Sequence, residues 1–303
     1  MSDMNRQNQS SADFFGRSSV ADLLRRLAAL FVVRDVMVPC DKIAYVGPGD
    51  QEGARQLVAE KRFSVIPVSQ DGSSFPSVFE TKPPYPGART ITKERQTAIT
   101  DYIPDSTPLI EALALFDGRE WYFTLRGNQV AGLMTYWGFN SHEFRVQLYA
   151  ILSRLEELSR DALAKDGCGV LGPDGLSLKD DVIAKVRDRF QSSQQELGGD
   201  RFVDELDFHH VHEALKKHAP WRTFLHERLG ENLSGNGYDK RYNLTKLRDD
   251  VMHGRVVFPT YRRFKERVQG VRNVVEFLGH LEAYRAAAES HAPSSPPAGD
   301  TGR

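Results

Sequence analysis

The chain has 303 residues, 40 basic against 41 acidic side chains, and a formal net charge of −1. That length allows two ordinary domains, and the balanced charge excludes a protein that coats nucleic acid through bulk electrostatics. Cys40 and Cys168 lie far apart with no paired-ligand spacing, which points to a reducing compartment rather than a disulfide framework.

The first 17 residues are rich in Asn, Gln and Ser and are expected to be disordered, because they hold little that can be buried. They lack the apolar core of a secretory signal. The run Ala21 to Val33 carries Arg25 and Arg26 and is too short to span a bilayer, so a cytoplasmic protein with no membrane partner is expected. Ser18 or Ser19 can cap a helix through Leu30, whose leucines recur at helical spacing.

Two segments then resemble each other. The first runs Val33-Arg34-Asp35-Val36-Met37, a helix opened by Gly49-Asp50, then Phe63-Ser64-Val65-Ile66-Pro67-Val68 before the turn Asp71-Gly72. The second runs Ile99-Thr100-Asp101-Tyr102-Ile103, a helix from Leu109 to Phe116 opened by Asp105-Ser106-Thr107-Pro108, then Trp121-Tyr122-Phe123-Thr124-Leu125, the turn Gly127-Asn128, and Gln129 to Thr135. Each half predicts strand, helix, strand, turn, strand, and an internal repeat takes priority in assigning a fold.

On the words Asp-Val-Met, Phe-Ser-Val-Ile-Pro-Val and Gly-Leu-Met-Thr, this repeat resembles a pair of cystathionine β-synthase (CBS) domains, with the module spanning 18–146. The resemblance implies a cleft that takes an adenine nucleotide, with Thr135, Tyr136 and Trp137 as its ligand contacts. Where the family pattern ends in a carboxylate that holds a ribose, this chain has Gly138. A Pro-rich stretch from Phe75 to Pro86 also departs from the pattern in the first half. Dimerisation alone is the alternative role for such a pair.

Residues 147–177 read as a connecting helix, with leucines at helical spacing, followed by a Gly-rich linker from Gly167 to Gly175. Beyond it strand patterns vanish. Helices are predicted near 178–196, 200–217, 221–229, 243–253 and 259–288, making 178–289 an all-α bundle and the whole chain α+β. The Ser- and Pro-rich tail, 290–303, is expected to be disordered.

The segment Leu247-Arg248-Asp249-Asp250-Val251-Met252-His253-Gly254 puts an arginine and a histidine on one predicted helix. Histidine moves protons near neutral pH, and the arginine fork matches a phosphate. At about 100° per residue their spacing sets them about 140° apart around the axis, with Asp249 near the face of His253. From Arg241 to Arg272 nine basic side chains face only Asp249, Asp250 and Glu266, an environment that would hold a polyanion. A basic helix end favoured by the dipole is the plain alternative.

The same segment is similar to the motif of the HEPN family (higher eukaryotes and prokaryotes nucleotide-binding domain), an Arg followed after four to six residues by a His, with Asn, Asp or His commonly just after the Arg. This resemblance implies metal-independent RNA cleavage with Arg248, Asp249 and His253 as catalytic residues and no cofactor. It also implies a homodimer that brings two motifs together, 2′,3′-cyclic phosphate products, and an RNA rather than a DNA partner. Lys246, Arg255, Arg262 and Arg263 are then the expected RNA contacts. A non-catalytic nucleotide-sensing or scaffold protein is the alternative. The cluster His209, His210 and His212 is not read as a metal site, since no Cys or paired carboxylate completes a tetrahedron.

Overall fold

The computed structural model describes residues 19–61, 63–82, 90–197, 201–230, 238, 242 and 244–289. Both segments expected to be disordered, 1–17 and 290–303, lie outside these residues. The chain forms two compact units. One takes Asp22–Tyr149 and Asp250–Gln269, and the other takes Met1–Ala21, Ala150–Asp249 and Gly270–Arg303. Among the described residues, no helix is long and apolar enough to cross a membrane.

The first unit is the sheet unit. After helix α1 (Val20–Leu30) come β1 (Val38–Pro39), α2 (Gln51–Lys61), β2 (Val65–Val68), β3 (Ser77–Lys82), β4 (Thr90–Ile91) and β5 (Arg95–Gln96). Then follow β6 (Tyr102–Pro104), α3 (Leu109–Leu115), β7 (Trp121–Arg126) and β8 (Gln129–Thr135). One sheet has the order β1-β8-β7-β6, with β6 parallel to β7 and the rest antiparallel. The other has the order β2-β3-β4, with β5 also on β3.

The pairings show a reciprocal exchange. The short strand that leads the first half, β1, pairs with β8 of the second (Val38 opposite Leu133). The short strand that leads the second half, β5, pairs with β3 of the first (Ser77 opposite Gln96). Each leading strand is followed by a 3-10 turn, Cys40–Lys42 or Ile99–Asp101. A parallel pairing comes next: a single bridge from Val46 to Val68 in the first half and the ladder β6 on β7 in the second. The repeat is therefore real, but its register differs from the sequence reading. Ile99–Ile103 answers to the stretch after Cys40, and Val33–Asp35 is a 3-10 turn preceding the first repeat rather than its leading strand. Two-residue strands carry no alternation to read, and the Asp35 carboxylate accepts the Val32 N–H at 2.8 Å, which closes the turn.

The exchange is packed as tightly as it is paired. Phe75 stacks on Phe123 with centroids 5.3 Å apart, and Ile43, Val65 and Val78 from the first half share one core with Trp121 and Leu133 from the second. Beneath α2 a second core joins Val46, Ala54, Val58, Ile66, Val68 and Phe79. Aromatic rings sit here in the stacked and edge-on arrangements that add to area burial. Gly132 on β8 is required by the approach of β1, because a Cβ there would run into the Val38 carbonyl oxygen. Residues 250–269 belong to this unit through Phe258 and Phe264, which join Phe116, Phe139 and Phe144. The Asn140 side chain clamps the Phe258 backbone from both sides: its Nδ2 donates to the carbonyl at 3.1 Å and its Oδ1 accepts the N–H at 2.8 Å.

The second unit is helical. It contains α4 (His142–Lys165) from Ala150 onward, α5 (Asp180–Leu197), α6 (Phe208–Lys217), α7 (Ala219–Leu229), most of α8 (Thr245–Met252), and α9 (Tyr261–Glu289) from Gly270 onward. Phe277 lies at its centre, with Tyr242 at 4.7 Å, Trp221 at 5.4 Å, and Tyr238 and His212 each at 6.1 Å. The predicted helix 200–217 is broken into a 3-10 turn, Phe202–Glu205, and α6. Its backbone is used elsewhere: Phe202 N–H donates to Val170 O at 2.9 Å and Val203 N–H to Gly169 O at 2.8 Å. The Gly-rich segment that reads as a linker is thus a set of turns inside the helical unit, with Gly167, Gly169 and Gly175 at positive φ.

In the sheet unit Asp101 is fully buried and serves as an electrostatic anchor. It accepts Arg95 Nη1 at 2.7 Å, Arg119 Nη1 and the Ala98 N–H at 2.8 Å. Burial alone would raise its carboxyl pKa, but the hydrogen bonds and the two guanidinium charges outweigh burial and hold it below the ordinary value. A depressed folded-state pKa contributes stability above the unfolded pKa and loses it as pH falls through the folded one. Asp101→Asn is therefore expected to cost about 1–3 kcal/mol near neutrality. In urea titrations its gap from the unsubstituted protein should begin to narrow below about pH 4 and close as pH falls through the depressed folded-state value; a gap that stays constant through that fall would contradict this account.

Candidate functional site

Helix α8 is short and amphipathic. Leu247 and Val251 are buried, and Arg248 and Asp249 lie between them on the more open side. Arg248 is not loose. Its Nε donates to Glu156 Oε1 of α4 at 2.9 Å, its Nη1 lies 3.3 Å from Asp249 Oδ1, and its guanidinium carbon lies 5.9 Å from the Phe208 ring centre. Glu156 is shared with Arg160, which lies 3.5 Å away and donates Nη2 to the Leu206 carbonyl at 2.9 Å. Burial alone would lower the Arg248 pKa; Glu156 and then Asp249 outweigh it, so the group stays cationic. Nη2 of Arg248 has no partner among the described residues.

The helix stops one residue before the histidine, so His253 is not on the helix as the sequence predicts. Gly254 takes a left-handed conformation with φ 63°, its N–H donating to Val251 O at 3.2 Å while the Arg255 N–H donates to Asp250 O at 2.9 Å. These two bonds form a Schellman cap. His253 is exposed in this turn, and its ring has no hydrogen-bond partner among the described residues. Asp249 is on Arg248, not on His253. Arg248 and Asp249 are grouped with the helical unit and His253 with the sheet unit.

The expected RNA contacts Lys246, Arg255, Arg262 and Arg263 are all exposed. Three of them have acidic neighbours: Arg263 lies 2.9 Å from Glu266, Arg262 lies 3.6 Å from it, and Arg255 lies 3.9 Å from Asp250. Arg267, which the sequence does not separate from its neighbours, is spent on Asp250. Among the α6 histidines, His209 is exposed and His212 is buried against Phe208, Tyr238 and Phe277. No group of three or more His, Cys, Asp or Glu side chains among the described residues is arranged to hold a metal ion.

At the end of β8, Thr135 and Tyr136 are half-buried and Trp137 is 54% exposed. The Tyr136 ring packs on Tyr261 and Phe264, at 5.5 and 5.9 Å. Trp121 and Phe123 belong to the core between the repeats. At Gly138 a Cβ would lie 2.9 Å from Met134 Sδ and 3.4 Å from the Val36 carbonyl oxygen, so a carboxylate-bearing residue does not fit there without movement of Met134. Sequence reading did not find Glu156 or Phe208. Both reach Arg248 from distant parts of the chain, and no local pattern marks them.

No family model matches the chain, and no curated protein matches it. Among solved structures the chain is similar to the CBS domain of a bacterial CNNM/CorC family Mg2+ transporter in complex with ATP, at 17% identity. That match covers 40% of this chain and 91% of the other, with a TM-score of 0.30. A likeness that slight leaves the fold to be argued from the strand pairings themselves.

The placement of His253 depends on Gly254. Replacement by Ala meets only ordinary contact, with Arg145 Nη1 3.6 Å from the new Cβ, so the cost is that of a left-handed backbone. Gly254→Ala is expected to cost about 1–2 kcal/mol, whereas Gly254→Asn should recover most of that. Thermal unfolding of the two variants checks the order, and equal losses would mean that the cap does not control this turn.

Proposed function

We propose that the sheet unit is a CBS-type pair acting as a ligand-responsive regulatory module, and that the turn after α8 is what it regulates. The support is one observation: Asp250–Gln269, the segment that carries His253, Arg255, Arg262 and Arg263, packs with the repeats, and Asn140 grips its backbone at Phe258. A ligand that binds one arrangement of the repeats better than another would bias that segment by its differential affinity. The reciprocal strand exchange is the reason for the CBS assignment. An adenine nucleotide is the ligand class this assignment brings with it. The absence of a carboxylate at Gly138 predicts that the phosphates and base, rather than the ribose, carry recognition.

A second reading concerns what is regulated. Arg248 has no partner for Nη2 among the described residues while its Nε is fixed, and His253 is exposed on the turn that ends the same helix; this favours metal-independent RNA cleavage by a homodimer. One imidazole removes the proton of a ribose 2′-hydroxyl as that oxygen bonds to phosphorus. The bond from phosphorus to the 5′-oxygen breaks, and the leaving oxygen takes a proton from the imidazolium of the second copy. The products are a 2′,3′-cyclic phosphate and a 5′-hydroxyl. Arg248 balances the charge gathering on the phosphorane. Asp249 holds Arg248, and Lys246, Arg255, Arg262 and Arg263 track the RNA backbone. A cytoplasmic protein with no DNA or membrane partner fits this reading.

Purified full-length protein incubated with total RNA in EDTA is expected to cleave it, and His253→Ala should lower the rate by about 10²–10⁴. Intact RNA, or cleavage unchanged by His253→Ala, would remove the nuclease and leave a non-catalytic sensor or scaffold. Thermal shift with AMP, ADP and ATP tests the sensor, since a ligand bound only to the native state raises its melting temperature. No shift with any of the three would set aside the adenine nucleotide.

A further inference from the structure

We infer that Glu156 is a positioning residue for Arg248, aiming the Nη2 nitrogen of its guanidinium at the scissile phosphate. This rests on the cleavage reading above. The geometry is specific. Glu156 accepts from Nε, the atom on the stem side of the fork, at 2.9 Å rather than taking both terminal nitrogens. A bidentate carboxylate on Nη1 and Nη2 would instead engage the nitrogen that is left open here. Held at Nε, the guanidinium plane is fixed while Nη2 has no partner among the described residues.

Two further contacts make this more than a surface ion pair. Phe208 lies beneath the guanidinium, with the ring centre 5.9 Å from its carbon, which resists rotation out of plane. Arg160 lies on the other oxygen of Glu156, 3.5 Å from Oε2, and is tied to the Leu206 carbonyl. One oxygen is therefore anchored and the other aims Arg248. Arg160 also offsets the Glu156 charge, so the cation on Arg248 is not cancelled. Both side chains of the Glu156–Arg160 pair are mostly buried, at 15% and 18% exposed, so solvent screens the arrangement less than it would an open pair. Asp249, 42% exposed and 3.3 Å from Nη1, is the weaker of the two acidic contacts.

The test compares the full chain with Glu156→Ala, Glu156→Gln and Arg248→Lys on a fluorescent oligoribonucleotide. Glu156→Ala is expected to lower kcat roughly 10–100-fold with KM little changed, the size of effect a slightly misplaced group produces. Glu156→Gln keeps an acceptor at the same place and should recover part of the loss. A second readout does not depend on cleavage. In 1H–15N spectra the Arg248 Nε–H signal, assigned by its disappearance in Arg248→Lys, is expected downfield and slow to exchange. It should move toward the free-arginine position in both Glu156 variants. A wild-type kcat in folded Glu156→Ala overturns the proposal, as does an Nε–H signal already at the free position in the unsubstituted protein. If Glu156→Ala does not fold, the Nε–H signal in Glu156→Gln decides. If the unsubstituted protein leaves RNA intact, the cleavage reading fails, and the same signal still decides whether Glu156 holds Arg248.

Discussion

The left-handed turn at Gly254 is the constraint on which the candidate site depends. It ends α8 with two backbone hydrogen bonds and commits the chain to leave the helix at His253. Had the helix run on, His253 would have been fixed about 140° around the axis from Arg248. With the turn, the two groups sit on backbone of different kinds: one on a regular helix, buttressed by Glu156 and Phe208, the other on an exposed loop. Under the proposed cleavage reading, this division would give the charged group a rigid support and the proton-exchanging group access to solvent.

A similar economy governs the sheet unit. Its leading strands are two residues long and could not hold a sheet edge alone. Each is stabilised by pairing with the other half, so neither half is complete without its counterpart. Phe75 on Phe123 and the shared core extend the same dependence to the side chains. Asp101 adds a polar version of it: a carboxylate from the turn before β6 binds Arg95 of β5 and Arg119, and Arg95 also reaches Glu80 of β3 at 2.6 Å. Through Arg95 the buried carboxylate of the second half is thus linked to Glu80 of the first.

How much of this the sequence made legible follows from the range of the forces involved. Helices α9 and α3 were readable to within a few residues, because the Pro-marked starts at Pro259 and Pro108 are local signals. The hairpin of β7 and β8 was readable from Gly127-Asn128 between two aromatic and β-branched runs. The internal repeat was readable but its register was not, since β1 and β5 are defined by partners rather than by their own residues. The break before α6 was hidden for the same reason: the N–H groups of Phe202 and Val203 are taken by carbonyls of the Gly-rich turns, over thirty residues earlier. At the candidate site the Arg248 and His253 pair stood out as a motif, while Glu156 gave no signal of its own on a leucine-rich helix.

Residues 250–269 pack with the sheet unit, which is what the proposed regulation of the turn rests on. A turn following α8 could have packed entirely with the helices around Phe277. Instead its backbone is gripped by Asn140, which stands in the short 3-10 segment immediately after β8. That segment also contains Tyr136, whose ring packs on Tyr261 and Phe264 at the start of α9. The last strand of the repeat thus leads within a few residues into the contacts that hold the turn. Movement at the end of β8 must either break the two Asn140 bonds and disturb a packed aromatic cluster or carry Phe258 with it. Dense aromatic packing resists continuous deformation, so the second course is the less costly. It reaches the exposed turn at His253 through the short backbone segment that joins that residue to Phe258.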